Sequence, residues 1–480
     1  MLKRYIIPCV FLILAGASFL QSTSLDKQTP SLLITSKSSA ISEISTPLFS
    51  ARRVPIFLQA PVADRQLKKD IEKIVAQLPG LSCVNVLENE RVVYERLAME
   101  PVIPASTQKL LTAVAALESF GSEYLFTTRV LSRVPPVNGV LDGDVWIVGG
   151  GDPLLMTSSY AERYEDPFPY TDIDRLAANL VASGISSIKG AVIGDESFFD
   201  DLRFVQSWPT RFRPGEQNQA GPLSSLSVNA GFTRWDQKNS SNGFSTPSDN
   251  PARDTASMLD DLLEERDVVI NRPPQSGIAP LDAVIELAEI KSPPLNEIIS
   301  QMLIGSDNTT AELILKGIGA LFAPPGSSVA GAILMEDILS KNGYSTKSTV
   351  VVDGSGLDYG NKVTCRLLTQ ILDDQRYSNA LRESLPVAGK SGTLKKRLLG
   401  SDAEGRVRGK TGSLNGVTSL AGVVETLADR KLSFALVTNY EGERGRIKFL
   451  HDEIIMNLLQ YPKGPSLELL MPILFGENNE

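Results

Sequence analysis

Histidine is almost missing from this chain of 480 residues, and His451 is the only one. A Ser-His-Asp triad therefore has one place to be built, and a zinc site of His and Cys ligands runs short, because only Cys9, Cys83 and Cys365 join it. Aromatic residues are sparse, at 6%, and form no stacking stripe. There is no long basic run, and the net charge is -9 with a pI near 5.1. Nucleic-acid binders carry a basic footprint, so a phosphate backbone is not the expected partner. Beyond the N-terminus, no stretch approaches 18 uninterrupted apolar residues. The glycine-rich GGGDP at 149–153 lacks the Lys-Ser/Thr that a phosphate loop needs and reads as a turn. What is present is ordinary for a globular chain: 42% hydrophobic and 21% charged residues. The length exceeds what one core supports, so two or three domains are expected. Any hydrolytic chemistry needs a base other than histidine.

The N-terminus has its own logic. Lys3 and Arg4 precede the apolar run Tyr5 to Leu14, and Ala15-Gly16-Ala17 offers an A-x-A cleavage site. That is the layout of a secretory signal peptide, residues 1–17, although a membrane anchor shares some of its features. The apolar run is short for a span of about 20 residues, so cleavage, export and no stable membrane span afterwards are expected. Residues 18–50, rich in Ser and Thr, read as a disordered leader. Cys83 and Cys365 remain after cleavage. Both sit in apolar-periodic surroundings and read as buried free thiols, although a bond between them is open to an exported chain.

Periodicity then divides the chain. Leu67, Ile71, Ile74, Val75 and Leu78 predict a helix, and 81–100 two strands around a turn at Glu88–Glu90. A proline-containing loop, PVIPAS, leads into an apolar helix from Thr107 to Phe120. Strand-like alternation follows near Phe126, and 195–255 is rich in loops. A strand just after Pro280 precedes three helical patterns, within 295–343. From Gly409 to Tyr440 three antiparallel strands are expected, closed by a helix from Gly445 to Gln460. Strands and helices at both ends thus bracket a β- and loop-rich middle, which predicts one α+β domain (51–127 and 281–480) interrupted by an insertion at 128–280.

A serine can be activated without histidine if a lysine on the same helix face takes its proton, and residues three apart on a helix are neighbours. Ser-x-x-Lys occurs at Ser24–Lys27, Ser106–Lys109 and Ser186–Lys189. Only Ser106 opens a strongly apolar helix that would carry its lysine inward, where burial lowers the amine pKa. A capping serine with a snorkelling lysine fits the same letters. Ser-Asp-Asn occurs at 248–250, in a loop, and at 306–308, between two apolar helices, where a helix cap is the plainer reading. Lys-Ser-Gly at 390–392 opens a basic turn, whereas Lys-Thr-Gly at 410–412 opens a strand whose Gly412 leaves room for a ligand backbone. Taken singly, each copy has an ordinary structural explanation.

Taken together, Ser106–Lys109, Ser306–Asn308 and Lys410–Gly412 stand in the order S-x-x-K, S-D-N, K-T-G, the set of serine β-lactamases and penicillin-binding proteins. The chain most resembles the D-alanyl-D-alanine carboxypeptidases/endopeptidases of the class C low-molecular-mass penicillin-binding proteins. Further stretches carry the likeness: VGGGDP at 148–153, LSVN at 226–229, SPPLNEII at 292–299, DGSGL at 353–357 and GKTGSLNGVTSLAGVV at 409–424. Two positions depart from that pattern. Ser413 stands where Thr is usual, and KSGTL at 390–394 stands where an acidic residue more often precedes GTL.

The resemblance implies a serine β-lactamase/DD-peptidase-like catalytic domain, with two extra domains filling the 200 residues between Ser106 and Ser306. It implies that Ser106 attacks the carbonyl between two D-alanines, with Lys109 as general base and Ser306 and Lys410 returning the proton to the leaving amine. It implies that Asn308 holds a peptide amide, that Thr411 and Ser413 hold the carboxylate beside Gly412, and that the N–H groups of Ser106 and Ser413 form the oxyanion hole. No cofactor or metal is implied. The partners implied are peptidoglycan peptides, with β-lactam antibiotics as covalent inhibitors. Two other readings remain: a β-lactamase-like hydrolase, and a non-catalytic wall-binding protein with relic motifs. His451, on an amphipathic helix, reads as structural.

Overall fold

The computed structural model describes residues 54–236, 245–322, 324–442 and 444–463. The expected signal peptide, the whole of the leader, Cys9 and the tail beyond 463 lie outside them. In chain order the principal elements are α1 (Val54–Val75), β1 (Leu81–Glu88), β2 (Arg91–Arg96), α2 (Lys109–Phe120), β3 (Thr127–Ser132) and β4 (Val145–Val148). Then come α3 (Ile173–Ala182), β5 (Val192–Asp195), α4 (Pro251–Glu264), β6 (Gln275–Ser276) and β7 (Ile285–Lys291). The chain continues with α5 (Leu295–Gly305), α6 (Asn308–Phe322), α7 (Ser328–Lys341), α8 (Cys365–Asp373), β8 (Val407–Leu414), β9 (Val417–Glu425), β10 (Lys431–Asn439) and α9 (Arg444–Leu459).

The two ends of the chain meet in one antiparallel sheet of order β8-β9-β10-β1-β2. Its inner strands β9, β10 and β1 are buried on both faces because side chains alternate between two cores. Leu432, Phe434 and Leu436 of β10 pack with Ile71 and Val75 of α1 and with Ile454 and Leu458 of α9. Ala435 and Val437, on the opposite face, pack with Leu110 and Val114 of α2 and with Met302 of α5. The α+β expectation therefore holds, with helices on both faces of a central sheet. α6 runs buried all round from Thr309 to Ala320, the charged Glu312 and Lys316 included, which fixes half-buried Asn308 at its start.

The inserted segment builds a second sheet of order β6-β5-β4-β3-β7, with parallel pairing of β4, β5 and β6. β7, which follows position 280, pairs with β3, so this sheet takes strands from both sides of that expected boundary. The β- and loop-rich reading of the insertion also missed two amphipathic helices. Ile173, Leu176, Ala177 and Leu180 of α3, and Ala252, Ala256, Leu259 and Leu263 of α4, line one core at helical spacing. The first Ser-Asp-Asn copy belongs to α4. Asn250 is its N-cap, accepting from the N–H of Arg253 at 3.0 Å, and Pro251 opens the helix.

The free-thiol expectation for Cys83 and Cys365 is overturned, because the two form a disulfide with their Cα atoms 6.0 Å apart. Cys83 faces the α2 side of β1 and Cys365 opens α8, so the bond pins that helix to the sheet. Among the described residues no helix is long and apolar enough to cross a membrane.

Candidate active site

Three segments far apart in sequence converge on a cleft of about 820 Å³. Ser106 sits in a 3-10 turn, Ala105–Gln108, that leads into α2. The turn is forced at its start: Ala105 has φ of 50°, and its carbonyl presses so close on Gly356 that a Cβ there would lie 1.9 Å away. One turn later Lys109 is fully buried. Its Nζ donates to Ser106 Oγ (3.2 Å), Asn308 Oδ1 (2.7 Å) and the Ser355 carbonyl (2.7 Å).

Burial pulls the Lys109 amine down to about 8, against the opposing pull of Asp353, Glu312 and Asp307. An ammonium fills all three contacts with protons. A neutral amine satisfies the two shorter ones and turns its lone pair to Ser106 Oγ, the arrangement a general base requires.

Ser306 terminates α5 in the left-handed region, with φ of 59° and ψ of 38°. That bend turns its hydroxyl toward β8, where Lys410 Nζ donates to it at 2.8 Å and to the Thr411 carbonyl at 2.9 Å. Lys410 is also fully buried, and burial followed by the charge of Lys109 holds its amine well below the usual lysine range. Two lysines thus flank the cleft, each aimed at a serine hydroxyl. Asp307 turns away to cap α6, accepting from the Thr310 N–H at 3.0 Å and from Gln301 at 3.2 Å. Asn308 completes the corner, donating its Nδ2 to the Gln219 carbonyl at 2.7 Å.

β8 is the edge strand of the sheet, and Thr411, Gly412 and Ser413 line the cleft. A Cβ on Gly412 would lie 2.2 Å from Ser419 Oγ and 2.9 Å from the Ser106 backbone nitrogen. Glycine therefore lets the edge strand approach the Ser106 N–H, so that two backbone donors can face one oxygen. All eight residues singled out in the sequence meet here: Ser106, Lys109, Ser306, Asn308, Lys410, Thr411, Gly412 and Ser413.

The rival copies do not meet here. Ser186 lies just before a short strand of the insertion, Ser187–Ile188, and Asn250 caps α4. Lys390 is not among the cleft-lining residues, and Ser391 Oγ accepts from the Val387 N–H within its own turn. His451 is buried against Thr438 at 3.0 Å, and burial drives its pKa down to about 3, so it is neutral and outside the cleft.

Sequence reading missed several contributors. Thr393, two residues past that turn serine, meets the Thr411 hydroxyl at 2.8 Å. Glu312 is buried one turn below Asn308 and accepts from the N–H groups of Ser355 (2.8 Å) and Gly354 (3.3 Å), which orients the Ser355 carbonyl toward Lys109. Burial and the neighbouring Asp353 push its carboxyl up. A glutamate four residues after Asn308 in a largely apolar helix was the available signal.

Known proteins resemble this chain over most of its length. A family model described as D-Ala-D-Ala carboxypeptidase 3 (S13) matches residues 67–244 and 236–449. The D-alanyl-D-alanine carboxypeptidase of an Actinomadura species is 28% identical over 473 residues, covering 82% of this chain and 85% of that one. A carboxypeptidase of Mycobacterium tuberculosis is 30% identical over 409 residues, covering 83% and 82%. In fold, the chain is similar to the crystal structure of penicillin binding protein 4 from Haemophilus influenzae. Their TM-score is 0.69 at 21% identity, over 82% of this chain and 99% of that one.

Proposed function

This chain belongs to the D-Ala-D-Ala carboxypeptidase 3 (S13) family, and from that membership we propose how its cleft works as a serine-type DD-peptidase on peptidoglycan peptides. The observation that carries the reading is the hydrogen-bonded pairing of Lys109 with Ser106 and of Lys410 with Ser306, both lysines being buried with lowered pKa values. Neutral Lys109 takes the Ser106 proton as Oγ attacks the penultimate D-alanyl carbonyl. The oxyanion forms between the N–H groups of Ser106 and Ser413, and one such donor is worth about 3 to 4 kcal/mol of transition-state stabilisation. Ser306, assisted by Lys410, protonates the leaving D-alanine nitrogen as the C–N bond breaks. Water then attacks the acyl-enzyme and frees Ser106. Asn308 holds a peptide amide, and Thr411 and Ser413 hold the terminal carboxylate beside Gly412.

The same steps cut a D-alanyl cross-link when the leaving amine belongs to another strand, and a β-lactam enters as a substrate mimic that acylates Ser106. The disulfide fits an oxidising compartment, which supports export by the expected signal peptide. We place the inserted segment at 128–291, because β7 pairs with β3.

D-alanine release from a synthetic peptide ending in D-Ala-D-Ala tests the reading. The wild type releases it and Ser106→Ala does not. Equal release by both would overturn the assignment of the nucleophile, and β-lactam turnover without D-alanine release would favour a β-lactamase-like hydrolase.

A further inference from the structure

A second cavity, of about 530 Å³, lies beside the Ser-Asp-Asn turn and shares no lining residue with the catalytic cleft. One of its walls is a face of α5, where Glu297, Ser300, Gln301 and Ile304 recur at helical spacing. The others are the insertion loop at 164–169 and the turn that carries Gly392 and Lys395. A Cβ on Gly392 would lie 2.5 Å from the Ile304 carbonyl, so that turn is seated directly on the end of α5. Gly305 and Gly392 line this cavity, and the residue after each, Ser306 and Thr393, lines the cleft.

The lining is short of donors. Gln301 is 6% exposed and gives its Nε2 to Asp307 Oδ2 at 3.2 Å. That donation turns its Oε1 the other way, buried and with no donor among the described residues. A buried acceptor left unpaired is costly, so the position favours a ligand that brings a proton to it. One helical turn before it, half-buried Glu297 makes no side-chain hydrogen bond or ion pair among the described residues, and neither does exposed Asp166. Lys395 is the one cation in the lining and is taken by Glu165 at 2.8 Å. Arg163 is not part of the lining and lies over the Tyr160 ring, 4.8 Å from its centre. Tyr164 and Phe168 meet edge to face at 4.9 Å, and Tyr160 and Trp235 extend the row at 6.1 and 5.0 Å. Aromatic faces attract cations. Free carboxylates, an unpaired carbonyl oxygen and aromatic rings around one hollow suit an ammonium and repel an anion.

We propose that this cavity binds a primary ammonium group carried on an apolar stem, with Gln301 Oε1 and the Glu297 carboxylate as its acceptors and Phe168 beside the stem. Asp166 adds charge at the rim. Gln301 then bridges the bound ammonium and Asp307, the middle residue of the Ser-Asp-Asn turn. The source of the ammonium rests on the DD-peptidase reading. Hydrolysis of a D-alanyl cross-link breaks the C–N bond and leaves the nitrogen of the departing strand as a primary ammonium, where the uncut strand has an amide. The cavity therefore takes the released strand and rejects the uncut one.

The test is titration calorimetry at pH 7 with two probes of equal stem, n-hexylamine and N-hexylacetamide, the second having its nitrogen acylated as in an uncut cross-link. The wild type binds the amine about tenfold or more tightly than the amide, and added salt narrows the gap. Protein already acylated by benzylpenicillin binds the amine equally well, because the cavity lies outside the cleft. Asp166→Asn/Glu297→Gln and, separately, Phe168→Ala weaken amine binding about fivefold, with circular dichroism reporting that each variant is folded. Equal affinity for the two probes, amine binding lost on acylation, or an unchanged affinity in folded Asp166→Asn/Glu297→Gln would overturn the site. No amine binding by a wild type that releases D-alanine would overturn the site and leave the peptidase reading intact. Amine binding by a wild type that releases no D-alanine would keep the site and overturn its source.

Discussion

At the scale of single residues, the proposed mechanism rests on two lysines that are denied water. Lys109 at about 8 leaves about a tenth of the molecules with a neutral amine at pH 7, enough to serve as base without hydroxide. Only that neutral form accepts the Ser106 proton, so the second-order rate of acylation by benzylpenicillin should climb between pH 6 and 8 and level off above. A flat profile would exclude Lys109 as the titrating base. Gly412→Ala puts a methyl against Ser419 and the Ser106 nitrogen, spoiling one oxyanion donor. Acylation should fall about a hundredfold while circular dichroism stays native, and a rate within threefold of wild type would contradict the close-approach argument. The triplets were legible because their residue types announce chemistry. Glu312 and Thr393 were not, because a carboxylate or a hydroxyl gains its role only from what the fold brings beside it.

At the scale of elements, the two Ser-Asp-Asn copies make a controlled comparison. Asn250 caps α4 and Asn308 opens α6 against Lys109. Asn250→Ala should cost about 1 kcal/mol in urea unfolding and leave penicillin acylation alone. Asn308→Ala should lose peptide turnover instead. A reversal of the two effects would mean that the wrong copy had been taken as functional. Strand and helix periodicity around the central sheet was readable, since its strands and flanking helices keep clean patterns. The insertion was not. α3 and α4 are amphipathic helices, but α4 opens in a polar, proline-punctuated stretch, and the segment was read by the composition of its loops rather than by the spacing of Ala252, Ala256, Leu259 and Leu263.

At the scale of the whole molecule, one covalent link and one buried imidazole make contributions to stability that can be measured separately. Cys83 and Cys365 are 282 residues apart, so their bond closes a loop spanning most of the fold. Replacing both by alanine should cost about 2 to 5 kcal/mol and make the melting temperature insensitive to reductant. His451 is held neutral with a pKa near 3, against 6.5 when unfolded. The unfolded chain therefore binds the extra proton, and stability is lost as pH falls below about 6.5. Buried acids such as Asp152, raised to about 6, act in the opposite sense, so the wild type must be compared with His451→Gln. The wild type's advantage should shrink by about 2 kcal/mol between pH 7 and pH 5 in chemical denaturation. An advantage independent of pH would contradict a neutral His451.

The central claim is that Ser106 is the nucleophile of a penicillin-sensitive DD-peptidase. Intact-mass spectrometry of the protein after incubation with benzylpenicillin tests it most directly. The account predicts a single stable adduct that maps to Ser106 and is absent from Ser106→Ala. An adduct retained by Ser106→Ala, or antibiotic hydrolysed with no adduct on the wild type, would contradict it.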